Sequence, residues 1–158
     1  MIKGIQHFSF TVTSLEESIN FFCSVLGLKV SPLREAKGER ADKILGFKDV
    51  QVKAAHIILG NGHIELMEYV NPKGQKIDLS TCNPGVGHIS FIVDDIQTMY
   101  EDLSAKGVKF NSPPLWSGGG VYKGYGICYL KGPDEITIEL MQPPNGLKMD
   151  PITGFVME

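Results

Sequence analysis

Hydrophobic and polar residues alternate with a period of two between Ile5 and Val12. Phe8, Phe10 and Val12 share one face while His7, Ser9 and Thr11 share the other, which predicts a half-buried strand. The spacing then turns helical, with Leu15, Ile19, Phe22 and Leu26 forming one apolar stripe. Ser14 stands at the N-cap, Glu17 three residues on completes a capping-box spacing, and Gly27 is placed to end the helix. Leu28–Leu33 predicts a second strand, with Pro32 marking an edge or an exit. Arg34–Asp49 is charged and weakly patterned, and predicts a loop with at most a short helical turn. Val52–Leu59 and His63–Val70 read as a hairpin across Gly60-Asn61-Gly62.

The polar, proline-bracketed stretch Asn71–Pro84 reads as a linker, and after it the same order returns. A strand at Gly85–Asp95 leads into a helix capped by Asp94 or Asp95, with Ile96, Tyr100 and Leu103 as its stripe and Gly107 as its stop. Val108–Phe110 begins a further strand, and Ser112–Gly124 is a long loop rich in Gly and Pro. Tyr125–Leu130 and Glu135–Gln142 predict a second hairpin through Gly132-Pro133-Asp134. The repeat is visible in the residues themselves. His7/His88, Ser9/Ser90, Phe10/Phe91 and Val12/Val93 are identical, and Ile64-Glu65-Leu66-Met67 recurs as Ile138-Glu139-Leu140-Met141. The expected fold class is therefore α+β, with two βαβββ modules in tandem, residues 4–70 and 85–142, forming a curved mixed sheet. The whole of 1–158 is expected to act as a single domain, with 71–84 as linker and 143–158 as an appendage without counterpart in the first copy.

Composition narrows the function classes. At 158 residues with a formal charge of −3, the chain is long enough to bury a core and lacks the basic excess that nucleic acid or an anionic membrane requires. The three cysteines, Cys23, Cys82 and Cys128, are widely spaced and form no CxxC, which speaks against a disulfide framework or a thiolate zinc site and for a reducing, cytoplasmic setting. No basic-then-apolar leader and no apolar run near 18 residues is present, so neither secretion nor membrane insertion is expected.

The chemistry lies on the polar faces of the strands. Glu65 stands between Ile64 and Leu66, and Glu139 between Ile138 and Leu140, so each carboxylate points away from the apolar layer, toward the side that carries His7 and His88. A lone strand histidine or glutamate is usually structural. Four at repeated positions favour a metal site. His56 and His63 have no counterpart in the second copy and read as structural, and Glu68, on the opposite face from Glu65, reads as a surface or edge residue. Met67 and Met141 follow the parity of the glutamates and read as packing. Gly118-Gly119-Gly120 does not have P-loop spacing. It reads as a mobile loop, with Trp116, Tyr122 and Tyr125 in or beside it as contacts for an organic substrate or as packing.

The paired histidine strands and paired Ile-Glu-Leu strands resemble the vicinal-oxygen-chelate superfamily, which includes glyoxalase I, methylmalonyl-CoA epimerase, extradiol dioxygenases and fosfomycin-resistance enzymes. The resemblance covers about residues 4–143. It implies a metal in a cavity between two modules, held by His7, Glu65, His88 and Glu139. One divalent ion of Ni, Co, Zn, Mn or Fe suits imidazole with carboxylate. Chelating two adjacent oxygens of a small-molecule substrate would ease loss of a proton from the neighbouring carbon, with Glu139 or Glu65 as the base. The His/Glu/His/Glu set is most similar to glyoxalase I and implies a lactoylglutathione lyase or methylmalonyl-CoA epimerase type of isomerase or lyase. Epimerases commonly have Gln at the place of Glu65. Extradiol dioxygenases, which would need Fe(II) or Mn(II), and fosfomycin enzymes use two His and one Glu. Arg34, Arg40 and Lys123 are candidates for glutathione contacts by loop position alone. A metal-free drug-binding protein with aromatic walls is the non-enzymatic alternative. An apolar module edge left unpaired in water would be costly, which favours a homodimer, and the resemblance implies that each site is built within one chain or shared between two.

Overall fold

The computed structural model describes residues 1–60, 62–145, 147 and 150. It divides into two compact units, with the boundary between Ile77 and Asp78. The first runs β1 (Phe8–Thr11), α1 (Leu15–Asn20), β2 (Lys29–Val30), β3 (Arg34–Lys37), α2 (Glu39–Leu45), β4 (Gln51–Leu59) and β5 (Gly62–Asn71). Its strands lie in the order β1-β5-β4-β2, with β3 also paired to β4. β1 and β5 run parallel and the other pairs antiparallel, so the sheet is mixed. The second unit runs β6 (Ile89–Ile92), α3 (Ile96–Ala105), β7 (Leu115–Trp116), β8 (Gly126–Lys131) and β9 (Thr137–Gln142). Its order is β6-β9-β8-β7, again with one parallel pair, β6 with β9. Both units are mixed α+β modules set in tandem, as the repeat implies.

Alternation explains which faces are buried. Ile64 and Leu66 on β5, like Ile138 and Leu140 on β9, are fully excluded from water. In the first unit they join Ala55 and Ile57 of β4 and Phe22 beneath the helix; in the second, Cys128 and Leu130 of β8 with Ile96 and Leu103 of α3. Burying each of the Ile, Leu and Phe side chains among them contributes about 1.5–3 kcal/mol. The helix starts follow their caps. Ser14 Oγ accepts from the Glu17 N–H at 3.2 Å, and Asp95 Oδ1 accepts from the Thr98 N–H at 3.0 Å. Gly27 and Gly107 end the two helices in the left-handed region, at φ 76° and 84°.

Several expectations change. After Asn20 the first helix widens into a π-turn over Phe21–Val25. The buried stripe runs through Leu15, Ser18 and Phe22, and Ile19 is only half-buried. Ser18 tolerates burial because its hydroxyl donates to the Ser14 carbonyl at 2.7 Å. Arg34–Asp49 is no loop: it holds β3, α2 and a junction in which Asp42 accepts from the N–H groups of Asp49 (3.0 Å) and Val50 (2.7 Å). Of Leu28–Leu33 only Lys29–Val30 pairs, and Val108–Phe110 is reduced to one bridge, Phe110 to Leu130. Ser112–Gly124 contains the short strand β7 and a 3-10 turn at Gly120–Tyr122. The hairpin turn residue Asn61 and most of 146–158 lie outside the described residues. No described helix is long and apolar enough to cross a membrane.

Candidate metal and substrate site

Strand register brings the predicted residues into pairs within each unit. Ser9 of β1 lies opposite Glu65 of β5, which sets His7, two residues earlier, on the same face as that carboxylate. His7 Nε2 stands 3.4 Å from Glu65 Oε2, and its Nδ1 side meets the Gln6 side-chain carbonyl. In the second unit Ser90 lies opposite Glu139 in the same register, and His88 Nε2 stands 3.3 Å from Glu139 Oε2. His7 and His88 are partly open to solvent, whereas Glu139 is buried and Glu65 half-buried. Each unit therefore presents the predicted imidazole–carboxylate pair, built by the same parallel strand pairing.

These separations fit a shared divalent cation. Two ligands each about 2.1 Å from one ion at tetrahedral or octahedral angles sit roughly 3.0–3.4 Å apart, longer than the ~2.9 Å of a direct N–H···O bond. The donor types, imidazole and carboxylate without thiolate, suit Zn, Ni, Co, Mn or Fe. Among the described residues, no group of three or more His, Cys, Asp or Glu side chains is gathered closely enough to hold a metal ion.

Sequence identity alone misses the neighbours of the two glutamates. His56 of β4 lies directly opposite Glu65, and its Nε2 is 3.4 Å from Glu65 Oε1. Tyr129 of β8 lies directly opposite Glu139. By register, then, His56 does have a counterpart, and it is a tyrosine. One guanidinium nitrogen of Arg34 sits 2.8 Å from each ring nitrogen of His56. Burial, then the neighbouring Arg34 charge, lowers the His56 pKa and so favours the neutral ring. Burial, then its hydrogen bond to Glu139, pushes the Tyr129 phenol up to about 12. His63 packs its ring 5.4 Å from that of His56, and its Nδ1 is buried without a partner among the described residues.

Other candidates are resolved by packing. Glu68 is neither a surface nor an edge group, since its Oε2 accepts from the Leu15 N–H at 2.8 Å and caps α1. Tyr125 is buried and packs edge-on to Tyr122, with ring centroids 5.7 Å apart. The glycine loop is tied at its base: Ser117 N–H donates to the Tyr125 carbonyl (2.9 Å) and Gly124 N–H to the Ser117 carbonyl (2.8 Å). Gly124 is obligatory there, because it has φ 82° and a Cβ would meet Pro144 Cγ at 2.9 Å. Trp116 lies over Gly126 and, like Tyr122, keeps much of its ring in solvent.

Comparison with known proteins agrees with this architecture. Residues 4–140 match the family model described as the Glyoxalase/Bleomycin resistance protein/Dioxygenase superfamily, and the chain belongs to that superfamily. It is 29% identical over 139 residues to the lactoylglutathione lyase of Arabidopsis thaliana, an alignment covering 86% of this chain and 43% of the plant protein. The chain thus spans less than half the length of that relative. It is 28% identical over 143 residues to the uncharacterized protein YwbC of Bacillus subtilis, covering 90% of this chain and 99% of YwbC. Among solved structures, a glyoxalase family protein from Bacillus cereus superposes with a TM-score of 0.74 at 25% identity, covering 92% of this chain and 97% of that one.

Proposed function

We propose that this chain is a divalent-metal-dependent isomerase or lyase of the glyoxalase I type, in which modules 4–70 and 85–142 act together as a single domain. The observation that carries the reading is the repeated pair: His7 with Glu65 and His88 with Glu139, in matching parallel-strand register and at 3.4 Å and 3.3 Å. In this reading His7, Glu65, His88 and Glu139 hold one ion. The metal would supply charge stabilisation for oxygen atoms next to the reacting carbon. A glutamate carboxylate, Glu139 or Glu65, takes the proton from a carbon adjacent to a carbonyl or hydroxyl and returns it to the neighbouring carbon or to the other face. The net change is an isomerisation that consumes no oxidant and no reductant. The substrate is a small molecule with two vicinal oxygens, and the plant relative's name, lactoylglutathione lyase, supports a thiol-adduct form of it.

Metal analysis tests the proposal. The purified protein, stripped and then reconstituted, should retain about one divalent ion per pair of modules. The double variant His7→Ala with Glu139→Ala should retain none. A wild-type protein that takes up no ion, or a double variant that loads as well as wild type, would end the reading. Oxygen uptake with a catechol would instead assign the Fe(II) or Mn(II) dioxygenase class.

A further inference from the structure

Resting on the metal-site reading above, we propose that Arg34 anchors a carboxylate that the substrate carries close to its two vicinal oxygens. Register supplies the first argument. Ser9 of β1, Glu65 of β5 and His56 of β4 stand in one cross-strand row, and Thr11, Met67, Ala54 and Arg34 stand in the next. The rows lie two residues apart along the strands, so Arg34 belongs to the same face as Glu65. Arg40 lies in α2 and Lys123 between the 3-10 turn and β8, so neither holds a place on that face by pairing.

The guanidinium is close and incompletely used. One of its nitrogens sits 2.8 Å from His56 Nε2, which is itself 3.4 Å from Glu65 Oε1. The cation is therefore within about 6 Å of that carboxylate, inside the ~8 Å over which physiological salt screens one charge from another. Arg34 is exposed, and its contact with His56 occupies a single nitrogen of the fork. Among the described residues no carboxylate makes an ion pair with it, so the rest of the fork is left for a carboxylate from outside. Charge balance argues the same way. A divalent ion held by two glutamates and two neutral imidazoles carries no net charge, and Arg34 adds one positive charge beside it. A substrate with one negative charge restores the balance; a carboxylate carries that charge at neutral pH, where a phosphate monoester carries nearly two.

The second unit has no cation in the equivalent row. Ile92, Met141, Ile127 and Leu115 stand where Thr11, Met67, Ala54 and Arg34 stand in the first, and all four are apolar. Lys131 lies one row to the other side of Glu139, opposite Thr137, and its ammonium is already engaged by Thr137 Oγ1 at 3.0 Å and the Glu135 carbonyl at 3.4 Å. Recognition of the anion thus falls to Arg34. Its nearness to Glu65 places the anion on the part of the substrate that bears the vicinal oxygens, and the substrate class is a small oxygenated acid or a thiol adduct of one.

Hydroxamates test this on the full-length protein loaded with cobalt(II), because they present two adjacent oxygens and alter the visible bands of the ion when they chelate it. Acetohydroxamate is the probe without a carboxylate; its partners are hydroxamates ending in a carboxylate after one, two or three methylene groups. The best of these should bind about 10–100-fold more tightly than acetohydroxamate, the gain of a charge-assisted pair. Arg34→Met and Arg34→Gln should each abolish that preference. Arg34→Lys, which keeps the charge without the fork, should retain part of it, and Lys131→Met should leave it intact. The quantity read is the ratio of two affinities within one variant, so a general weakening of the site cancels, and circular dichroism confirms that each variant is folded. An Arg34 that only orients His56 would weaken both kinds of probe alike and leave the ratio standing, which overturns the proposal. A preference lost in Lys131→Met instead overturns it too. A wild-type protein that loads cobalt and shows no preference overturns the anchor alone, and one that takes up no cobalt overturns the metal reading with it.

Discussion

Glu68 and Gln142 do the same work at the same place in the two repeats. Glu68 Oε2 accepts from the first N–H of α1, that of Leu15, at 2.8 Å, and Gln142 Oε1 accepts from the first N–H of α3, that of Ile96, at 2.9 Å. Each lies three residues beyond the glutamate of the candidate site, on the opposite face of the same strand. One strand end thus presents a carboxylate to the polar face and ties the helix down on the apolar one. The position of the helix over the sheet is coupled in this way to the strand that carries the site residue.

The pairing makes a stability prediction. Removing either acceptor leaves a part-buried N–H without its partner, which costs about 1–3 kcal/mol. Glu68→Ala and Gln142→Ala should each lower the thermal midpoint by several degrees. Glu68→Gln should recover most of the loss, since Gln142 shows that an uncharged amide oxygen suffices. Differential scanning calorimetry decides. If Glu68→Gln is as damaging as Glu68→Ala, the charge rather than the hydrogen bond matters, and the equivalence of the two positions fails.

The three thiols should separate by reactivity. Cys82 is exposed, Cys23 intermediate and Cys128 buried. Burial, then the nearby Glu139 carboxylate, pushes the Cys128 pKa from an ordinary 9.0 up to about 11. A raised thiol pKa holds the proton on, so at pH 8 only about one Cys128 in a thousand is thiolate, and the fraction grows only as pH rises through 11. Titration of the native protein with a disulfide reagent at pH 8 should label Cys82 fast, Cys23 more slowly and Cys128 only after denaturant. Labelling of Cys128 at the rate of Cys82 would show that the β8 core opens in the native state.

The sequence makes the faces legible because burial follows period two wherever apolar residues alternate with polar ones. Ile64-Glu65-Leu66 and Ile138-Glu139-Leu140 announce both the core and the carboxylates. Strand β3 escapes notice for the opposite reason. Arg34, Glu35, Ala36 and Lys37 are all exposed, so no hydrophobic period exists, although the strand pairs with β4. In α2 only Ala41 is buried, too little to write a stripe. The π-turn after Asn20 cannot be read from spacing, because it changes the period that the spacing assumes. His56 and Tyr129 were hidden by chemistry. A repeat detected by identical residues cannot align an imidazole with a phenol, whereas register does so at once. What identity can find is what the two halves share, and His56 and Tyr129 lie in what they do not.

The last prediction concerns assembly, since the proposed four-ligand site can be completed within one chain or between two. β1 and β6, the strands that carry His7 and His88 at their starts, are the terminal strands of their sheets. A terminal strand leaves one row of backbone groups open to further pairing. The 14 residues of 71–84 could span up to about 45 Å when extended, so chain length permits either pairing. We expect a homodimer with sites shared between chains. Chains carrying His7→Ala and chains carrying His88→Ala, each unable to hold the ion alone, should regain cobalt binding when unfolded together and refolded. Random reassortment makes half the dimers mixed, each with one intact site of two, so about a quarter of the wild-type binding should return. No recovery from well-folded mixed dimers would assign the site to a single chain, and a monomer by light scattering would remove the dimer itself.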